Sequence, residues 1–184
     1  MERKIYIKGM SDGIHGSAAY VIMEEDGKTQ VADGGKRFGN TIKVSCMEMQ
    51  ADHYNMELLA LRSALLKSEC ESVVVYSNNK ALVTWVNNLN DRDLFGYNKY
   101  PYPEDRLPLI ELIQGVKGFD EMHIHAEWIP KLDQAAGNVL ANVLGEFTLN
   151  SDRTLDAKTK HETLMMYSTT YKKLVNNLNL NIVG

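Results

Sequence analysis

Five residues constrain the fold of this chain more than any others. Ser72–Tyr76 reads Ser-Val-Val-Val-Tyr, an apolar run with no polar break. A strand that is apolar on both sides needs cover on both faces, the pattern of a central strand in a helix-covered sheet. The flanking segments supply partners and cover. Lys4–Met10 alternates apolar and polar residues, as a half-buried strand does. Ser11–Gly16 is a turn cluster with two glycines, Ser17–Met23 reads as a second strand, and Glu25-Asp26-Gly27 marks a hairpin turn. A third strand is placed within Thr41–Glu48. At Asn55–Leu66 the period changes to that of a helix, with Met56, Leu59, Ala60 and Ala64 on one face and Asp52 as its N-cap.

Downstream, Lys80–Val86 and Leu107–Val116 read as helices, Met122–Trp128 as a fifth strand and Gln134–Leu144 as a last core helix. This order predicts an α/β fold, a five-stranded mixed sheet flanked by helices. Beyond it Leu164, Tyr167, Tyr171, Leu174 and Leu178 recur at helical spacing, a C-terminal helical extension, with Asn176–Asn181 as its fraying end. The expected division is a domain over 1–146 and an extension over 147–184. Two cysteines, no leader and no long apolar run predict a reducing, cytoplasmic setting without a membrane. The tail is too polar to span a bilayer.

Four motifs fall on these elements in order: Ile7-Lys8-Gly9 in the first strand, Asn55-Met56-Glu57-Leu58-Leu59-Ala60 in the first helix, Tyr76-Ser77-Asn78-Asn79 after the central strand, and Trp128-Ile129-Pro130-Lys131 followed by Gln134, Gly137, Asn138, Leu140 and Ala141. In this order they resemble the ribonuclease H-like superfamily, over about residues 1–146. The resemblance implies the ribonuclease H-like fold. It also implies a site of four carboxylates holding two divalent metals, one activating water and one stabilising the leaving oxygen, to hydrolyse the RNA strand of an RNA–DNA hybrid. Here three of those positions hold Lys8, Asn78 and Asn138, and Glu57 alone is acidic.

Mg²⁺ is held largely by the charge of hard oxygen ligands. Four negative charges become a net of zero at these positions, and an ammonium roughly 4 Å from a metal adds several kcal/mol of repulsion per unit charge at an effective dielectric of about 20. The resemblance therefore implies a degenerate site with no catalytic residue and no metal, and a Lys8–Glu57 ion pair in the place of the ion. Mg or Mn enters only if acids have moved, and Asp12, Glu48 and Asp133 are the candidates. Their plainer readings are a turn residue for Asp12 and an N-cap for Asp133. His123 and His125 alternate on one strand face without a cysteine at ligand spacing and read as ordinary strand residues. Cys46 and Cys70 read as small buried hydrophobes.

The net charge of −4 argues against tight nonspecific binding of nucleic acid but permits a local basic site. Lys80, Lys131, Lys36 and Arg37, with Lys43, are the candidate nucleic-acid contacts; the plain alternative for each is a solvated surface cation. Asn87–Pro108 interleaves Phe95, Tyr97, Tyr100 and Tyr102 with Arg92, Lys99 and Arg106, and acidic residues dilute its charge. Such a loop stacks bases or folds over the core. Three function classes remain: an inert ribonuclease H-like protein that binds hybrid, RNA or DNA without cleavage; a protein-interaction, structural or inhibitory module, with a protein partner or homodimer through the C-terminal helix; and an active nuclease with relocated acids.

Overall fold

In a computed structural model that describes residues 1–88, 106–151, 155–180 and 182, the valine run is the fourth strand of a five-stranded sheet. Strands β1 (Glu2–Ser11), β2 (Gly16–Met23) and β3 (Gln30–Phe38) form an antiparallel meander, and β4 (Thr41–Val44) and β5 (Met47–Gln50) form a separate hairpin. Helix α1 (His53–Ser68) leads to β6 (Ser72–Ser77), which pairs in parallel with β1. Helices α2 (Lys80–Asn88) and α3 (Leu107–Gln114) precede β7 (His123–Trp128), parallel to β6, and α4 (Ala136–Asn150) closes the core. The sheet order is β3-β2-β1-β6-β7.

Side chains alternate about the sheet, and each face has its own core. Ile5, Ile7, Ile22, Val73 and Val75 pack against α1, α2 and α3. Tyr6, Ala19, Val21 and Met23 pack against Leu140, Ala141, Leu144 and Phe147 of α4. This is the two-sided cover that the valine run demands. Two glycines set how closely the layers approach. A Cβ on Gly9 would lie 2.2 Å from the carbonyl oxygen of His53 and 2.4 Å from the amide of Glu57, so the first turn of α1 rests on the bare backbone of β1. A Cβ on Gly137 would lie 2.2 Å from the Tyr6 ring, which seats α4 on the other face.

The third strand of the sheet is Gln30–Phe38, not a segment of Thr41–Glu48. Asp33-Gly34-Gly35 has the composition of a turn, yet the space of a Cβ on Gly34 is filled by the Tyr20 ring and that on Gly35 by Thr148. These are strand glycines of close approach. Cys46 is exposed beside Ser45, which has a positive φ in the β4–β5 turn, so it is no buried hydrophobe; Cys70 is half-buried.

The tail forms two helices rather than one stripe. Ser168 ends α5 (Ala157–Tyr167) and its hydroxyl accepts the amide of Tyr171 to start α6 (Thr169–Val175). Leu164 and Tyr171 are buried against α4, and Lys160 pairs with Asp33 of β3. The segment expected to fray is anchored: the amide of Gln30 donates to the carbonyl of Asn179 at 2.7 Å, and the amide of Asn179 to that of Lys28. Helix α4 runs through 146 to Asn150. Phe95, Tyr97, Tyr100 and Tyr102, with Arg92 and Lys99, lie outside the described residues. No helix among the described residues is long and apolar enough to cross a membrane.

Candidate functional site

The C-terminal ends of β1 and β6 open into a cleft of about 580 Å³, which takes Lys8 from β1, Glu57 from α1, Asn78 and Lys80 from the β6–α2 junction, and Lys131 and Asn142 from the last loop and α4. Lys8 lies three residues before the end of β1, which runs to Ser11, and faces the α4 layer on the same side as Tyr6. Glu57 enters from the opposite layer, one turn into α1, where Asp52 caps the helix by accepting the amide of Asn55 at 2.8 Å. Buried Arg106 braces that cap, donating to Asp52 at 3.0 Å and to Asn55 at 2.8 Å.

Both charged groups are out of water, with Lys8 4 % and Glu57 3 % exposed. They do not form the expected ion pair. The Glu57 carboxylate accepts from the Asn79 side-chain amide at 2.8 Å and from the Ser77 hydroxyl at 3.4 Å. The Lys8 ammonium meets no hydrogen-bond acceptor among the described residues. The two charges act on each other only through space. Burial pushes Lys8 down to about 8, opposed by the Glu57 charge and reinforced by that of Lys131. Burial likewise pushes Glu57 up to about 7, against the Asn79 hydrogen bond, the Lys8 charge and the Ser77 hydroxyl.

Asn79 does two jobs. Its side-chain oxygen caps α2 by accepting the amide of Ala81 at 3.0 Å, while its NH₂ holds Glu57. An Asn immediately before a helix is a cap signal in any sequence, but its second bond to an acid 22 residues away is not. Asn78, at the family position, is exposed; its carbonyl accepts the indole N–H of Trp128 at 3.1 Å. Lys80 lies over the Trp128 ring, 5.0 Å from its centroid.

The last family position lies elsewhere. Asn138 is fully buried and does not line the cleft; its NH₂ donates to the carbonyls of Lys131 at 3.2 Å and Asp133 at 2.9 Å, pinning the loop after β7. The polar α4 residue in the cleft is Asn142, one turn on, which also donates to the Lys131 carbonyl. Asp133 is not an N-cap: α4 starts from Ala135 without a side-chain cap, and Asp133 accepts the Ala135 amide in a tight turn.

Lys80 and Lys131 line the cleft with Lys8, giving three cations against one carboxylate among its described lining residues. Lys36 and Arg37 line a different groove between β3 and α4, where Arg37 donates to the carbonyl of Leu149 and Lys36 lies over Phe38. Lys43 is exposed on the hairpin. His123 and His125 point outward from edge strand β7.

The donor set does not fit a pair of divalent metals. Glu57 is the single carboxylate among the described lining residues, both its oxygens are engaged, and an ammonium shares the cleft. Asp12, Glu48 and Asp133 do not line it, and Asp12 accepts two amides of its own turn. Among the described residues no group of three or more His, Cys, Asp or Glu is placed to hold a metal.

Several solved structures share this architecture. The N-terminal RNase H domain of Rv2228c from Mycobacterium tuberculosis, solved as a fusion with maltose binding protein, aligns at a TM-score of 0.59 and 19% identity over 81% of this chain and 94% of that one. RNase H1 from the halophilic archaeon Halobacterium salinarum aligns at 0.51 and 17%, over 80% and 97%. LC11-RNase H1 in complex with an RNA/DNA hybrid aligns at 0.51 and 19%, over 78% and 96%. The chain thus has the ribonuclease H-like fold of the superfamily its motifs resemble. No protein-family model and no curated protein matches the sequence.

Proposed function

We propose that the protein binds nucleic acid through this cleft and does not cleave it. The observation that carries the reading is the charge of the site: Lys8, Lys80 and Lys131 surround one carboxylate. Such a site attracts phosphate and repels Mg²⁺. The half-exposed Trp128 ring beside Lys80 offers a face on which a base can stack. LC11-RNase H1, which shares the fold, is in complex with an RNA/DNA hybrid. The protein-interaction reading used the surfaces of both the domain and its tail; in the tail, Leu164 and Tyr171 are buried against the chain's own α4 and are not available to a partner.

Fluorescence anisotropy with labelled hybrid, duplex and single strands between 50 and 200 mM salt tests the proposal. Affinity should fall with salt, and Lys80→Ala with Lys131→Ala should lower the slope of log K against log salt by about 1–2, near 0.9 per phosphate contact on a duplex. Incubation of the hybrid with Mg²⁺ or Mn²⁺ should leave it intact. Turnover above background that Glu57→Gln abolishes would refute the inert reading, and absence of binding at 50 mM salt to every one of these nucleic acids would refute the binding reading.

A further inference from the structure

The cleft contains a buried cation that meets no acceptor among the described residues. Lys8 is 4 % exposed, it lines the cleft, and its ammonium reaches no acceptor among the described residues. An ammonium that has left water stays costly until an acceptor or counter-charge meets it. The obvious counter-charge is already held elsewhere, because Asn79 and Ser77 tether Glu57. Lys80 and Lys131 stand at the same opening with exposed side chains, and the Asn78 and Asn142 amides complete a polar rim. Three ammonium groups are point donors that can approach one centre from different directions. That suits the several oxygens and the high charge of a phosphate, whereas a planar carboxylate is better matched by the fork of an arginine. Glu57 opposes an anion, but it is one charge against three.

We infer that the cleft is a phosphate site, in which Lys8 donates to a phosphate oxygen from the inside and Lys80 and Lys131 hold the group at the rim. This deepens the nucleic-acid reading: the phosphate is a backbone phosphodiester if that reading holds, and a free phosphate otherwise.

The experiment uses the full chain with ¹³C-labelled lysine, titrated with inorganic phosphate at constant ionic strength and followed at the Lys8 Cε resonance and by calorimetry. Saturable one-site binding with a shift of the Lys8 resonance is expected. Lys8→Met should weaken phosphate at least tenfold and Lys131→Ala a fewfold. A Lys8 resonance that does not move overturns the inference, and this readout needs no variant to fold. A labelled hybrid is then titrated into the parent, with and without saturating phosphate. Phosphate that shifts Lys8 and displaces the hybrid supports both readings. Phosphate that shifts Lys8 where no hybrid binds supports the phosphate site and removes the nucleic-acid reading. Hybrid binding that ignores phosphate and Lys8→Met overturns the phosphate site and leaves the nucleic-acid reading on the rim lysines.

Discussion

The two buried charges make stability depend on pH in opposite senses. Glu57 has a folded pKa of about 7 against an ordinary 4.5, so the folded state binds more protons between these values. Stability therefore falls as pH rises through that window, by up to about 3 kcal/mol at ~1.4 kcal/mol per unit. Lys8 has a folded pKa of about 8 against an ordinary 10.5, so the unfolded chain binds more protons there and stability recovers as pH rises from about 8 to 10.5. Denaturant midpoints at pH 5, 7.5 and 10 should show a minimum near 7.5. Glu57→Gln should flatten the acid limb and Lys8→Met the alkaline one; a parent curve without a minimum contradicts the burial argument. Asn138→Asp is a second test. An Asp there loses both donors and sets a buried carboxylate against the carbonyls of Lys131 and Asp133. It should cost on the order of 3 kcal/mol, read as a loss of Tm. At this scale the sequence was legible in part. It singled out Lys8, Glu57, Lys80 and Lys131, and the fold brings these four into one cleft. It could not show that a tether from Asn79 keeps Glu57 from Lys8, or that Asn142 rather than Asn138 faces the cleft. Both depend on side-chain directions that spacing leaves open.

At the scale of elements, strand and helix types followed from period. The valine run, α1 with its Asp52 cap and β7 all lie where their patterns put them. The miss at β3 has a physical cause: the Tyr20 ring of the neighbouring strand β2 and Thr148 of α4 crowd that strand, and the glycines that make room for them mimic a turn. The same closeness makes a prediction at α4. Gly137→Ala would drive a methyl into the Tyr6 ring, which itself stacks on Tyr76 at 4.8 Å. Moving either layer should cost about 1–3 kcal/mol by overpacking, despite the better helix propensity of Ala. Thermal unfolding reads this directly, and a gain in Tm would mean that α4 is not seated on Tyr6.

For the whole molecule, the tail is part of the second core. Leu164 is 2 % exposed among Phe147, Tyr171 and their neighbours, and Leu164→Ala should cost ~2–5 kcal/mol in denaturant titration. A cost near zero would show that the tail is not docked. The apolar stripe predicted a helix; the break at Ser168 was written in a hydroxyl cap that a run of helical spacing overrides on reading.

The return of the tail to Gln30 has another consequence. Strand β3 is an outer strand of the sheet, and an open strand edge is a template on which a second chain can add and aggregation can start. The short parallel pairing of Thr29 with Asn179 occupies the beginning of that edge. The C-terminal segment thus takes up, at its first residues, pairing positions that an added strand would need, and leaves fewer of them open to a second chain.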